Sequence, residues 1–419
     1  MSALILLVFM VAAVAAVPIA HALLLASVTA AAVSDRVPLD LVVQQMVAQV
    51  QSFPLIAIPF FMLTGTLMMG GKLGESLIGV LSTLIGRFHG GPGQVGVLSS
   101  TIFGGVSGSA VADASAIGSL LIPWQKRLGY PPAFSAATLA AAATIDILIP
   151  PSIPMILFAL TANASIAALF VAGILPGLLM CVGFMAVCWW VGKRRNFPRE
   201  LQPINWPVFR KQLAYASPAL LLPVLIVVFL RFGIATPTEV SVLSTAFSGL
   251  VSAVIYRDLG LKRLHKAVIE AGLSTGVVLL VIMASAAVGW LLTFDHMPDG
   301  VVQWAKANLH SSWSIILMMN LLMLLLGMFI DLPAAVLLLT PVFVPLANAI
   351  GMDMVQLGIM MTVNLAIGLY TPPVGTTLFI TSSLAKVKVG ETVRELVPFY
   401  LVAFAILMVV SYVPASILR

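Results

Sequence analysis

Charged side chains are scarce in this chain of 419 residues, of which 9% are charged and 61% are hydrophobic. Soluble domains usually carry about a quarter charged residues. A soluble chain this apolar would expose large hydrophobic patches and aggregate, so a lipid bilayer is the expected solvent. The composition therefore argues against a soluble protein and predicts a multi-pass membrane protein.

Cysteine and histidine are also too few and too scattered to build a metal or disulfide framework. The two cysteines, Cys181 and Cys188, share one apolar run and would lie about 10 Å apart on a helix, beyond disulfide reach. The five histidines show no zinc-ligand spacing. We therefore expect no cofactor.

The basic residues are concentrated in short hydrophilic segments between apolar runs. Six lie in 193–211 and four in 257–266. If these two segments face the cytoplasm, alternating spans place 17 of the 21 Lys and Arg inside the cell. This distribution is typical of membrane topology and not of a nucleic-acid-binding face. The apolar run 2–33 lacks a basic n-region, so we expect a first membrane helix and not a cleaved signal.

Two halves of the chain repeat the same pattern of interruptions. Small or polar residues break apolar stretches at about 93–127 and 313–348, which predicts two re-entrant hairpins. Paired prolines interrupt the stretches at about 132–162 and 353–385, which predicts two broken membrane helices. An Asp precedes a Pro by ten residues in both hairpins, and a Gly precedes the Pro pair by 21 in both halves. We predict an all-α membrane protein with two inverted-topology repeats, residues 1–212 and 213–419, a plan found in secondary transporters.

Each predicted hairpin contains one carboxylate, Asp113 in the first and Asp331 in the second. An unpaired buried carboxylate is costly, so it should be protonated or paired with a cation. Basic side chains are nearly absent from 88–192 and fully absent from 307–385, which favours a bound metal ion as the partner. Carboxylate, hydroxyl and carbonyl oxygens suit alkali and alkaline-earth ions. The alternative for each Asp is a helix N-cap, and Ser109 is a second candidate cap in the first hairpin.

The proline pairs, Pro150-Pro151 and Pro372-Pro373, remove backbone donors and free carbonyl groups. Those carbonyls can coordinate a cation, although a simple kink satisfied by nearby hydroxyls is the competing interpretation. Further oxygens near the two pairs come from Ser152, Asn364, Thr371 and Thr376. Asp146 lies close to the first pair, and the sequence leaves open whether it faces a cavity or bonds to the hairpin.

Four motifs resemble a known family. They are the runs 53–61 (FPLIAIPFF), 107–113 (SGSAVAD), 149–152 (IPPS) and 370–375 (YTPPVG). In order and spacing they closely resemble the large membrane subunit, of DctM type, of tripartite ATP-independent periplasmic (TRAP) transporters. The resemblance covers essentially the whole chain.

The resemblance implies secondary active import of an organic acid anion, C4-dicarboxylate or sialic-acid-like, driven by a sodium gradient. It implies an elevator mechanism within the ion transporter superfamily, with sodium ions as coupling ions. The expected partners are a small four-helix membrane subunit of DctQ type and a periplasmic substrate-binding protein of DctP type. The expected location is the bacterial inner membrane.

The family's sites can be placed on matching positions of this sequence. The first sodium site would comprise Ser107, Gly108, Ser109, Asp113, Pro150 and Ser152. The second would comprise Gly327, Asp331, Asn364, Thr371, Pro372, Gly375 and Thr376. The substrate would lie between the hairpin tips, near Ser107, Ser109, Thr376 and Thr377.

Three other functions compete with this interpretation. A stand-alone sodium- or proton-coupled carboxylate symporter would share the hairpin plan but need no binding protein. An intramembrane enzyme would need a catalytic dyad or a nucleophile beside a base, and no such motif is evident. An ATP-driven permease component would need a phosphate-binding loop, but Gly70-Gly71-Lys72 is followed by Leu73 and fails that pattern. We expect a transporter and not an enzyme.

Overall fold

The computed structural model describes residues 1–15, 17–34, 37–69, 73–199, 205–309 and 311–414, and all regular structure in these ranges is helical. The helices of the first half are α1 Ser2–Val14, α2 Ile19–Val33, α3 Leu39–Val50, α4 Ala57–Met69, α5 Leu73–Ile85, α6 Gly91–Ser107, α7 Ala110–Arg127, α8 Pro132–Ala142, α9 Ile153–Ala162 and α10 Ile166–Arg194. Those of the second half are α11 Trp206–Arg231, α12 Pro237–Leu250, α13 Leu261–Phe294, α14 Met297–Asn308, α15 Ser312–Gly327, α16 Leu332–Ala349, α17 Met354–Gly368, α18 Thr376–Ala385 and α19 Val389–Tyr412.

Six of these helices are long and apolar enough to cross a bilayer. They are α10, α11, α12 with its continuation to Ile255, α13, α16 and α19. The bent pair Leu39–Val50 and Phe53–Met68 would make a seventh span. The prediction of an all-helical, multi-pass membrane protein is therefore confirmed.

The N-terminal apolar run differs from its prediction as one membrane helix. The structure divides it into α1, of 13 residues, and α2, of 15 residues, which pack against each other. Pro18 stands at the N-cap of α2, because its ring lacks the N–H that a continuous helix would need. Each helix alone is shorter than a bilayer span.

The helices are interrupted at four places inside the molecule, and these breaks lie where the sequence predicts them. Residues 108–109 separate α6 from α7, and residues 328–331 separate α15 from α16. Residues 146–152 interrupt the run from α8 to α9, and residues 369–375 separate α17 from α18. In both of the latter breaks the peptide bond between the two prolines is cis.

The broken elements of the two halves pack across each other. The second arm of the first pair, α7, packs on α18, and the second arm of the other pair, α16, packs on α9. The helices α8 and α18 also lie side by side. This packing brings all four breaks into one region. The helices α2, α3 and α4 pack around α13, and both α4 and α13 reach the region of the breaks through Met62 and Val278.

Candidate functional site

The first break is a sharp turn held against the first proline pair. Gly108 adopts a left-handed conformation with φ of 64°, which favours glycine, and it ends α6. A Cβ at Gly108 would lie 2.6 Å from the Pro151 carbonyl oxygen, so only glycine allows this approach. Ser109 then begins α7 as its N-cap, with its Oγ 3.5 Å from the Ala112 amide nitrogen.

Asp146 bonds to this turn, which resolves the alternative that the sequence left open. The Ser107 hydroxyl donates to Asp146 Oδ2 at 2.9 Å, and the Ser109 amide donates to Ser107 Oγ at 3.2 Å. Asp146 is fully buried, and its Oδ1 atom has no hydrogen-bond partner. The side chain therefore links the proline break to the hairpin turn.

Asp113 lies one turn into α7 and is fully buried. Both of its carboxylate oxygens lack a hydrogen-bond partner, and Ser109, not Asp113, occupies the N-cap. Asp146 and Ser100 are among the polar groups near Asp113. Capping therefore does not explain Asp113, and its charge is available to a bound cation.

The Ser152 hydroxyl closes the first proline break. It donates to the Ile147 carbonyl at 2.6 Å, and it accepts from the Met155 amide at 3.4 Å as the N-cap of α9. These bonds satisfy backbone groups that Pro150 and Pro151 leave unpaired. Ser152 is thus held in the turn beside the other predicted residues of the first sodium site.

Asp331 stands at the N-cap position of α16 but makes no capping hydrogen bond with its side chain. It lines a cavity of about 200 Å³ between the two hairpin breaks, together with Gly108 and Ser109. The remaining lining residues are Met62, Ala110, Val111, Ile147, Ile153, Pro154, Val278, Leu332, Pro333 and Leu369. Asp331 and the break between α6 and α7 therefore border the same cavity.

Three helices begin at this cavity. Ala110 and Val111 open α7, Ile153 and Pro154 open α9, and Leu332 and Pro333 open α16. The N-terminal end of a helix carries a partial positive charge and unpaired backbone N–H groups. None of the described residues that line the cavity is Lys, Arg or His. The positive potential that favours an anion therefore comes from the backbone at the helix N-termini, and Asp331 is the carboxylate in the lining.

The second proline break is tied to the end of α15. The Val374 amide donates to the Met328 carbonyl at 3.3 Å. A Cβ at Gly368 would lie 2.3 Å from the Gly327 carbonyl oxygen, so α15 and α17 meet at two glycines. Gly375, with φ of 38°, then begins α18.

The predicted ligands at the second break differ in what their side chains do. Thr371 Oγ1 donates to the Ile367 carbonyl at 2.6 Å, whereas Thr376 Oγ1 is buried without a partner. Thr377 Oγ1 is 3.1 Å from the Ala140 carbonyl and 2.9 Å from that of Leu369, which links α18 to α8. Of the four predicted substrate residues, only Ser109 is among those that line the cavity.

Asn364 belongs to a buried amide network that the sequence did not reveal. Its Nδ2 donates to the carbonyl and to Oδ1 of Asn320, at 3.0 and 2.8 Å. Asn320 Nδ2 in turn donates to Ser411 Oγ at 3.0 Å, so the network joins α15, α17 and α19. Asn364 Oδ1 has no donor and remains an available oxygen ligand.

Sequence reasoning missed Ser100, and it interpreted Gly104 only as a residue of close helix packing. Together with Ser107 they recur at i, i+4 and i+7 in α6, a spacing that places them on one helix face. That periodicity of small residues was the signal available. The face meets Asp146 and Asp113.

A family model, curated relatives and solved structures are all similar to this chain over most of its length. Residues 6–416 match the family model described as the tripartite ATP-independent periplasmic transporter, DctM component. The chain is 55% identical to the protein y4mL of Sinorhizobium fredii, over 99% of both chains. It is 35% identical to the 2,3-diketo-L-gulonate TRAP transporter large permease protein YiaN of Escherichia coli, over 96% of this chain and 94% of that protein.

Two further similarities extend the comparison. The C4-dicarboxylate TRAP transporter large permease protein DctM of Pseudomonas aeruginosa is 35% identical, over 87% of this chain and 85% of that protein. Among solved structures, the YdaH transporter of Alcanivorax borkumensis aligns with a TM-score of 0.64 at 15% identity, over 87% of this chain and 86% of that one. At that identity the YdaH similarity concerns the fold alone.

Proposed function

Because the chain belongs to the DctM component family of the tripartite ATP-independent periplasmic transporters, whose members are transporter permeases and not enzymes, we propose that it imports an organic acid anion driven by a sodium gradient. The relatives named above for 2,3-diketo-L-gulonate and C4-dicarboxylates support a carboxylate substrate. A sialic-acid-like acid belongs to the same proposed class.

One observation carries the proposal: three helix N-termini converge on the cavity between the two hairpin breaks. Discontinuous membrane helices whose N-termini point at an anionic group are a recurring device of secondary transporters. The Ser109 hydroxyl, and the N–H groups in the first turns of α7, α9 and α16 that are not capped by a serine, offer donors to a substrate carboxylate. Asp331 would face a hydroxyl or another donor group of the same substrate.

The first proposed sodium site lies behind the first break. Its ligands are proposed to be Ser107, Gly108, Ser109, Asp113, Pro150 and Ser152. The unpartnered Asp113 carboxylate supports this assignment, because a buried carboxylate without a partner needs a cation. Carbonyl and hydroxyl oxygens around the turn complete a donor set suited to sodium.

The second proposed sodium site lies at the second proline break. Its ligands are proposed to be Gly327, Asn364, Thr371, Pro372, Gly375 and Thr376. The buried, unpartnered oxygens of Asn364 and Thr376 support it. Since Asp331 lines the cavity, we assign its carboxylate to the substrate side of this site.

The order of elements supports two inverted repeats, residues 1–212 and 213–419, although their inverted relation is part of the proposal. Each half contains a helix pair with a short break, then a helix interrupted at two prolines, then one long apolar helix, α10 or α19. We propose that the two pairs are re-entrant hairpins that move with the broken helices as an elevator. The packing of α2, α3 and α4 on α13 would form the fixed scaffold.

The proposed partners follow from the family. Large permeases of this kind work with a small membrane subunit and a periplasmic binding protein, and we propose the same for this chain. The distribution of 17 of 21 basic residues on one side supports insertion in a bacterial inner membrane with those segments in the cytoplasm.

The test is uptake into proteoliposomes that contain this chain and its small membrane partner. Candidate binding proteins loaded with labelled organic acids are added, with an inward sodium gradient or with choline replacing sodium. We expect uptake only when both sodium and a binding protein are present. Uptake without any binding protein would favour the stand-alone symporter, and uptake that follows a proton gradient instead would overturn sodium coupling.

A further inference from the structure

A second cavity, of about 480 Å³, lies between α3, α9, α13 and α16. Gln45 and Gln49, one helical turn apart on α3, line it, and so does Asn163 at the end of α9. We call this space the amide cavity. None of the described residues that line it is Asp, Glu, Lys, Arg or His. The amide cavity therefore selects a ligand by hydrogen bonds and packing and not by ion pairing with side chains.

A hydroxyl at the buried end of the amide cavity has no partner. Ser285, in α13, lines the cavity and is 2% exposed, and its Oγ makes no hydrogen bond within the described part of the chain. Thr293, two turns later on the same helix, also lines the cavity but is exposed. The cavity thus extends from the surface to a buried hydroxyl. Because an unpaired buried hydroxyl is costly, a ligand that supplies its partner is favoured.

An indole ring provides an apolar wall. Trp290 lines the amide cavity, is half-buried and stacks on Phe294, with the ring centroids 5.4 Å apart. The stacking restricts the orientation of the indole. A flat aromatic surface beside amides and hydroxyls suits a hydroxylated carbon chain or ring, whose C–H groups pack on the indole while its hydroxyls donate and accept hydrogen bonds.

Helix ends distinguish the amide cavity from the cavity between the hairpin breaks. Gln49 lies in the last turn of α3, Thr161 in the last turn of α9 and Thr293 in the last turn of α13. Three C-terminal ends, with unpaired carbonyls and partial negative charge, therefore border the amide cavity. The other cavity is bordered by three N-terminal ends. The amide cavity thus favours hydroxyl donors and disfavours a carboxylate.

The two cavities follow one another along the same helices. On α13, Val278 lines the cavity between the hairpin breaks and Ile282 lines the amide cavity. On α16, Pro333 and Leu337 have the same relation, and α9 also contributes to both linings. Each of these pairs is four residues apart, about 6 Å along a helix. A single elongated molecule therefore reaches both cavities.

We propose that the amide cavity is a specificity subsite for the uncharged, hydroxylated part of the substrate, whose carboxylate lies at the helix N-termini between the hairpin breaks. The substrate class is then a monocarboxylate with a polyhydroxylated chain or ring, a sugar acid, in preference to a C4-dicarboxylate. A second carboxylate would leave water for an uncharged lining beside three helix C-termini. The inference rests on the proposed import of an organic acid anion and narrows its substrate class.

The test is calorimetric binding to the purified full chain in detergent at saturating sodium. The probes are the six-carbon sugar acids gluconate and gulonate, the C4-dicarboxylate succinate, and lactate, which is too short to reach the amide cavity. We expect at least one sugar acid to bind at least about tenfold more tightly than succinate. Ser285→Ala and Gln45→Ala should each weaken binding of that sugar acid about three- to tenfold and leave lactate binding unchanged.

Ser274→Ala in α13 and Gln44→Ala in α3 are the matched controls, because both side chains are exposed and neither lines the amide cavity. Succinate binding as tight as that of both sugar acids would overturn the inference, and so would unchanged sugar-acid binding in both cavity variants. If no organic acid binds the unmodified chain and reconstituted uptake also fails, the proposed function itself fails. If uptake occurs but is specific for dicarboxylates, the amide-cavity inference alone fails.

Discussion

The two helix pairs, α6–α7 and α15–α16, have similar breaks, but their carboxylates lie in different surroundings. In the first half, Asp113 is fully buried near Asp146 and is not among the residues that line the cavity. In the second half, Asp331 lines the cavity with Ser109. A shared backbone plan therefore places the two carboxylates differently, and we propose that only Asp331 meets the substrate.

The same contrast holds for the neutral polar residues. In the first half, the Ser107 hydroxyl bonds to Asp146, and Ser100 lies near Asp113. In the second half, Asn320 and Asn364 bond to each other and join α15 to α17. The polar contacts of the first half therefore involve carboxylates, whereas those of the second half join neutral amides.

The largest loss of stability is expected at Gly368, where α15 and α17 pack closely. Gly368→Ala would place a methyl group 2.3 Å from the Gly327 carbonyl oxygen, so the backbones of α15 and α17 must separate. We expect a loss of about 3 kcal/mol in the free energy of unfolding. The measurement is the thermal unfolding temperature of the purified chain in detergent.

Gly272→Ala in α13 is the control, because nothing lies within 4 Å of its Cβ position. Alanine has the higher helix propensity, so this variant should be neutral or gain up to about 1 kcal/mol. Equal unfolding temperatures for the two variants would show that the glycine contact does not hold the second half together.

The amide network predicts a smaller effect that separates packing from ion binding. Asn364→Ala removes both hydrogen bonds to Asn320 and leaves the Asn320 side-chain oxygen buried without that donor. We expect a loss of about 1–3 kcal/mol in the free energy of unfolding. Unfolding in detergent without sodium isolates this packing effect, and an unchanged stability there would mean that the network is not structural.

The smallest effect is expected at Asp295, outside the membrane-spanning segments. Hydrogen bonds from the Ser2 hydroxyl and amide, both 2.7 Å long, lower the pKa of Asp295 to about 2. A lowered pKa stabilises the fold at neutral pH, and this contribution is lost only as the pH falls below the usual aspartate range toward 2.

Asp295→Asn retains an acceptor oxygen but loses the charge that pairs with the N-terminal ammonium, so the free energy of unfolding at pH 7 should fall by about 0.5–1 kcal/mol and uptake should be unchanged. The check is a pair of unfolding curves at pH 7 with a parallel uptake assay. A large loss of uptake would show that the loop after α13 belongs to the transport machinery.

The sequence was sufficient to predict the helical, multi-pass architecture and the positions of all four breaks. Long apolar runs require a bilayer, paired prolines interrupt a helix, and a glycine such as Gly108 can take the left-handed conformation that ends one. The division of 2–33 into two helices escaped prediction, since hydropathy does not distinguish one kinked span from two packed short helices.

The candidate site was predictable only in part. Spacing and resemblance predicted Asp113 and Asp331 as site residues, but not that only Asp331 would line the cavity. That depends on how α6, α7 and the proline break pack in three dimensions. Asp146 was left undecided for the same reason, because its partner, Ser107, is 39 residues away in the chain.

The most direct test of this division compares Asp113→Asn with Asp331→Asn in reconstituted uptake, with sodium and substrate each varied in turn. We predict that Asp113→Asn raises the sodium concentration for half-maximal uptake at least about tenfold, with the substrate KM within about twofold at saturating sodium. Asp331→Asn should do the reverse, raising the substrate KM about tenfold with little change in the sodium requirement. If both variants raise the sodium requirement equally and leave the substrate KM unchanged, both carboxylates bind ions and the proposed difference between the two halves is wrong.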